Sequence, residues 1–134
     1  MTDTLRIAHC SDIHLDGDHY HHDQYVEASD YYRESFEKVL AEMRGHDPDI
    51  MLLAGDLFDA NSATKETIEW SMQVIADQPC PMAMIPGNHD CLQPNGVFER
   101  HDFNALRNVQ MFKDPEGEVR WLKKHNVAVW GKGM

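Results

Sequence analysis

The sequence is short of positive charge, of cysteine and of long apolar runs, and each shortage narrows what it can be. Among its 134 residues, 12 are Lys or Arg against 23 Asp or Glu, a formal net charge of −11. A free-standing nucleic-acid binder normally carries a basic patch, so the balance argues against that class. A nuclease survives the test, because bound divalent cations reverse the local sign. The three cysteines, Cys10, Cys80 and Cys91, are odd in number and widely spaced, which excludes a disulfide framework. A reducing cytoplasm is the expected setting. Cys10 falls in a strand-like segment, where a free thiol packs as a small hydrophobe. No apolar run approaches membrane-spanning length. Met1-Thr2-Asp3-Thr4 lacks the basic region and apolar stretch of a signal peptide. Repeats, low-complexity tracts and linkers are absent too.

What is present suits one globular domain, with 42% hydrophobic and 26% charged residues. Leu5 to Cys10, Ile50 to Ala54 and Met82 to Ile85 read as strands. The second is continuously apolar, as in a parallel strand covered on both faces. A helix is predicted from the region of Glu27 to Asp30 as far as Gly45, with Tyr32, Phe36, Val39, Leu40 and Met43 on one face. A second runs from about Thr64 to Asp77, with Ile68, Met72, Ile75 and Ala76 inward. Ser62 and Thr64 are its candidate caps. This βαβαβ run predicts an α/β fold with a parallel sheet and right-handed crossovers. Beyond it, Phe98 to Leu106 reads as a short helix and Val109 to Phe112 as a strand. Glu118 to Leu122 and Val127 to Trp130 read as a hairpin.

Each of the first three strands ends in a polar motif. Ser11-Asp12-Ile13-His14 follows the first, Gly55-Asp56-Leu57-Phe58-Asp59 the second and Gly87-Asn88-His89-Asp90 the third. Ligands of open α/β sheets gather at the carboxyl ends of strands, so the motifs predict one shared site. Asp, Asn and His offer hard oxygen and borderline nitrogen donors, which suit Mn, Fe, Zn or Mg. The intervals between motifs each accommodate a helix and a return strand. Asp-x-His alone is weak; Gly-Asn-His-Asp is the most informative of the three.

In this order the motifs resemble the calcineurin-like metallophosphoesterase superfamily, over nearly the whole chain. Ser-Asp-Ile-His-Leu, Gly-Asp-Leu-Phe-Asp and Ile-Pro-Gly-Asn-His-Asp look most like its DNA-repair exonuclease branch, which includes the nuclease subunit of bacterial SbcCD. The resemblance implies half of a four-layer αββα sandwich, with a mainly parallel sheet and flanking helices. It implies two divalent metal ions, manganese foremost and Fe, Zn or Mg as alternatives. Asp12 and His14 would hold the first metal, Asp56 would bridge both, and Asn88 would bind the second. His89 would face the scissile phosphate as acid or transition-state donor, and Asp59 would orient or polarise His89. Gly55 and Gly87 would let the backbone turn tightly beside the ions. The physics agrees: two cations roughly 3.5–4 Å apart clamp an in-line displacement at phosphorus and activate water as hydroxide. The substrate implied is a phosphodiester, DNA in the exonuclease branch, with an SbcC-like ATPase as partner.

The family pattern continues to a further histidine and a Gly-His-x-His motif, which this sequence lacks. The chain therefore reads as the N-terminal half of a catalytic domain. It is expected to bind metal poorly, to be weak or inactive alone, and to self-associate through an uncovered apolar sheet face. Two rivals stand beside the exonuclease. One is a phosphoesterase for a small substrate, such as a cyclic nucleotide or phosphomonoester; the other is a non-catalytic partner-binding domain. Other polar groups have plainer readings. His19, His21 and His22 suit a solvated loop, His9 a packing role and Cys91 an incidental thiol. Trp70, Trp121 and Trp130 suit packing. Arg100, Arg107, Lys123 and Lys124 suit scattered surface charge. Asp90 suits a hydrogen-bonding support of its loop.

Overall fold

The computed structural model describes residues 4–17 and 28–134; His19, His21 and His22 lie outside the described residues. Four strands form one parallel sheet in chain order: β1 (Ile7–Cys10), β2 (Ile50–Ala54), β3 (Met82–Ile85) and β4 (Val109–Met111). Between them run α1 (Ala28–Gly45), α2 (Lys65–Ala76) and the short α3 (Val97–Arg100), the last followed by a 3₁₀ turn at Phe103–Ala105. A hairpin of β5 (Glu118–Leu122) and β6 (Val127–Gly131) ends the chain. The parallel α/β architecture is the one predicted.

Strands added in sequence by right-handed crossovers move in one direction, so their helices fall on one side. Strand alternation then sorts the side chains. Met51, Leu53, Met82, Met84, Val109 and Met111 face the helices, where they pack with Phe36, Leu40, Ile68, Ile75, Phe98 and Phe103. Ile50 and Ala83 face the other way and pack with Phe112 and Leu122. The hairpin thus supplies part of a second cover. Its outward pairs, Val119 with Trp130 and Trp121 with Ala128, stay in solvent. Trp121 and Trp130 are 59% and 62% exposed, which corrects their reading as packing residues. Trp70 does pack, edge-on to Phe36 and under Arg33.

Local chemistry explains most element ends. Thr64 caps α2, its side chain accepting from the Thr67 amide at 3.2 Å; Ser62 has no part in the cap. Ala76 is exposed and Ser71 takes the inward place, its hydroxyl satisfied by the Ile68 carbonyl at 2.7 Å. β1 is an edge strand of alternating exposure. Cys10 is half-buried there, and burial pushes its thiol up to about 11, leaving an unreactive packing group.

The ends of β2 and β3 come together at two glycines. Gly55 has φ +91°, and a Cβ placed on it would lie 3.0 Å from the Gly87 Cα. A Cβ on Gly87 would overlap the amide and carboxylate of Asp56. Gly87→Ala should therefore lower stability by about 1–3 kcal/mol, the usual cost of overpacking, and displace Asp56. Urea unfolding checks the first effect and Mn²⁺ titration the second; a variant as stable and as metal-competent as the parent would refute the close approach.

Candidate metal centre

The parallel pairing of β1 and β2 continues beyond the strands into their loops. The Asp12 amide donates to the Gly55 carbonyl (3.1 Å), His14 to Asp56 (3.0 Å) and Leu15 to Leu57 (2.8 Å), and Asp59 donates back to Leu15 (2.9 Å). Leu15 and Phe58 form an isolated parallel bridge and are fully buried. These anchors hold the intervening polar side chains at the surface. Asp12, His14 and Asp56 have φ between 55° and 58°, the left-handed region that Asp and His tolerate better than most residues.

Five of the six expected site residues meet here. His14 Nε2 lies 3.6 Å from Asp12 Oδ1 and 4.0 Å from Asp56 Oδ2. Those three donor atoms lie within 4.8 Å of one another, as do donors of His14, Asp59 and His89. The two clusters share His14. The His14 and His89 rings stand edge to face, with centroids 4.8 Å apart. His89 is placed by its own amide, which donates to Asp56 Oδ1 at 2.9 Å. Asn88 stands exposed in the same loop, between Gly87 and His89.

Asp59 differs from expectation. Its carboxylate lies against His14, with Oδ1 3.0 Å from Nδ1. What His89 Nδ1 meets is the Asp59 main-chain carbonyl, at 2.8 Å. The second loop packs over both rings, so one residue reaches one histidine with its side chain and the other with its backbone.

A cation fits the first cluster. With Nδ1–H given to the Asp59 carboxylate, the other ring nitrogen of His14 faces two further carboxylate oxygens. The Asp12 and Asp56 carboxylates, within 4.8 Å of each other, repel while no cation lies between them. Three converging electron-pair donors of mixed N and O type are what a divalent metal takes. Asp12 is largely exposed; the Ser11 hydroxyl, 2.6 Å away, is the main cause holding its carboxyl below the usual range, and His14 assists. The Asp59 carbonyl raises His89, with the nearby carboxylates adding to it. The site is an open shelf; a separate concavity lies at the opposite end of β1, among Arg6, His9, Glu42 and His46.

Residues outside the expected set hold the shelf. Asp90 is fully buried and ties two loops, accepting from the Gly87 amide (2.7 Å) and the Phe58 amide (3.1 Å); burial raises its carboxyl. Asp16, two positions after His14, accepts from the Thr64 amide (2.9 Å) and the Thr67 hydroxyl (2.7 Å), docking the first loop on α2. Its signal was the extra acidic residue following Asp-x-His. Arg100, read as scattered charge, donates to the carbonyls of Asn95, Asn61 and Ala63. Asp90→Ala leaves the buried Phe58 amide without its partner, at a cost of about 1–3 kcal/mol. Asp90→Asn keeps one acceptor and should lose less. Equal unfolding midpoints for parent and alanine variant would show that Asp90 does not tie the loops.

Comparison with known proteins agrees with this geometry. The profile of the calcineurin-like phosphoesterase family matches residues 5–131. A probable cyclic nucleotide phosphodiesterase of Fibrobacter succinogenes is 34% identical over 146 aligned positions, which cover 96% of this chain and 54% of the relative. The chain thus spans about half the length of that curated relative. No described helix is long and apolar enough to cross a membrane. The α/β sheet, the strand-end carboxylates and histidines, and a profile match over nearly the whole sequence place this chain in the calcineurin-like phosphoesterase family.

Proposed function

We propose that this chain carries one side of the two-metal centre of a phosphodiesterase acting on a small phosphodiester, a cyclic nucleotide being the leading class. The observation that carries the reading is the convergence of Asp12, His14 and Asp56 beside an exposed His89. Asp12 and His14 are assigned to one metal, Asp56 to both and Asn88 to the other. Bound divalent ions at such a site supply Lewis-acid polarisation of phosphoryl oxygens and a more acidic water. The mixed Asp, Asn and His donors admit Mn, Fe, Zn or Mg, and the family resemblance puts manganese first.

His89 does the proton work in this reading. Its Nδ1 is committed to the Asp59 carbonyl, so Nε2 is the atom left for substrate. A carbonyl only accepts, which favours the imidazolium, and the Nε2–H of that form donates to the departing oxygen. The small substrate is preferred over DNA on two grounds. The chain carries a net −11, which opposes a polyanion more than a single diester. The relative of 34% identity is itself described as a probable cyclic nucleotide phosphodiesterase. The likeness of the motifs to the exonuclease branch makes DNA, with an ATPase partner, the second reading.

With Mn²⁺ present, 3′,5′-cyclic AMP and bis-p-nitrophenyl phosphate should be hydrolysed, slowly, in preference to p-nitrophenyl phosphate and linear DNA. His89→Asn should lower turnover by roughly 10²–10⁴-fold while Mn²⁺ still binds. Asp56→Asn should weaken Mn²⁺ binding itself. Faster loss of DNA than of the cyclic diester would favour the nuclease. Failure to bind Mn²⁺ at millimolar concentration would end the metal reading.

A further inference from the structure

We propose that Asp59 is a positioning residue for the metal ligand His14: its carboxylate sets metal affinity through the His14 ring, while the His89 ring is aimed by the Asp59 main-chain oxygen. This assignment rests on the metal role given to His14 above. Asp59 offers two acceptors to two rings. Its carboxylate Oδ1 lies 3.0 Å from His14 Nδ1 and its main-chain oxygen 2.8 Å from His89 Nδ1. Its own amide donates to Leu15 at 2.9 Å, so the backbone that presents both groups is pinned to the loop carrying His14. The Asp59 and His14 side chains are 18% and 25% exposed, shielded enough for the contact to persist against water.

A carboxylate oxygen and a carbonyl oxygen both accept, so each ring carries its proton on Nδ1. For His14 this turns the Nε2 lone pair toward Asp12 Oδ1 and Asp56 Oδ2, at 3.6 and 4.0 Å. A carboxylate behind a ligating imidazole fixes its tautomer and ring angle and raises its basicity toward the metal. The ring of His89 receives the same tautomer from a group that no side-chain substitution removes. The two effects are therefore separable. Changing the Asp59 side chain loosens the metal ligand and leaves the proton donor oriented. Polarisation of His89 by the same carboxylate would instead alter the proton donor and leave the metal alone.

The test begins with the metal-free protein. Long-range ¹H–¹⁵N spectra of the imidazoles should show both His14 and His89 as Nδ1–H tautomers. In Asp59→Ala, His14 should move toward the Nε2–H form while His89 keeps its Nδ1–H tautomer. Asp59→Asn retains an oxygen at the same reach and should preserve the His14 tautomer. Calorimetric titration with Mn²⁺ should give a Kd about 10–100-fold weaker for Asp59→Ala and a smaller change for Asp59→Asn. Cyclic-diester turnover lost in Asp59→Ala should return at high Mn²⁺, whereas turnover lost in His89→Asn should not. Asp59→Ser, whose hydroxyl is too short to reach Nδ1, carries the same readouts if the alanine variant does not fold. An unchanged His14 tautomer and Mn²⁺ affinity, or a changed His89 tautomer with a loss that Mn²⁺ does not restore, would overturn the assignment. Tautomer and affinity effects together with faster hydrolysis of DNA than of the cyclic diester would overturn the small-diester reading and leave this one standing; cyclic-diester hydrolysis without either effect would do the reverse.

Discussion

The parallel ladder between β1 and β2 outlasts the strands, and the site depends on that extension. Four main-chain hydrogen bonds join the 12–15 segment to the 55–59 segment, as sheet bonds would. Four non-glycine residues in these loops, Asp12, His14, Asp16 and Asp56, hold left-handed φ values. Such conformations cost about 1–3 kcal/mol each and persist only where the surroundings over-determine them. Here the ladder fixes the backbone, and Leu15 and Phe58 fix its depth. With Leu15 turned into the core, His14 is turned out to the shelf. The strained dihedrals are the geometric consequence of turning three polar side chains toward one point while their neighbours stay paired.

A one-sided helix layer sets the next constraint. Because the strands follow in order, there is no switch point in the sheet, and the site forms simply where β1, β2 and β3 end. The third loop must then reach the first two without a ladder of its own. It does so through side chains: Asp56 accepts the His89 amide and Asp90 accepts the amides of Gly87 and Phe58. Glycine at 87 is what permits that approach, since a Cβ there would meet Asp56. Carboxylates that serve as acceptors within the protein therefore sit beside carboxylates that face the open site.

The strands were legible where their signal was local. Ile50–Ala54 and Met82–Ile85 carry unbroken apolar runs and form as read. Thr64 precedes an amphipathic stretch and caps it. β1 begins at Ile7, two residues later than its composition suggests, because its register with β2 starts at Ile7 opposite Ile50. What was not legible depends on which surface lies opposite. Trp121 and Trp130 share a hairpin face with Val119, and period alone does not say which face meets the sheet. Arg100 looks like any surface charge until the 61–63 loop is seen to end under its guanidinium. The motifs named Asp12, His14, Asp56, Asp59 and His89 as neighbours, but spacing along a chain does not reveal which atom of Asp59 reaches which ring.

That last point is a physical one about histidine ligands. A backbone ladder fixes where a Cα stands and leaves two side-chain torsions free, so a ring needs a second tether to aim one nitrogen. The second loop provides that tether twice, by a carboxylate to His14 and by a carbonyl to His89. The choice of group suits each partner. A metal ligand gains from a charged acceptor that raises its basicity. The carbonyl orients the His89 ring through Nδ1 and leaves its Nε2 facing the open site. One residue offering both groups, pinned by its own amide to the loop it serves, lets a short segment aim two histidines in one open site.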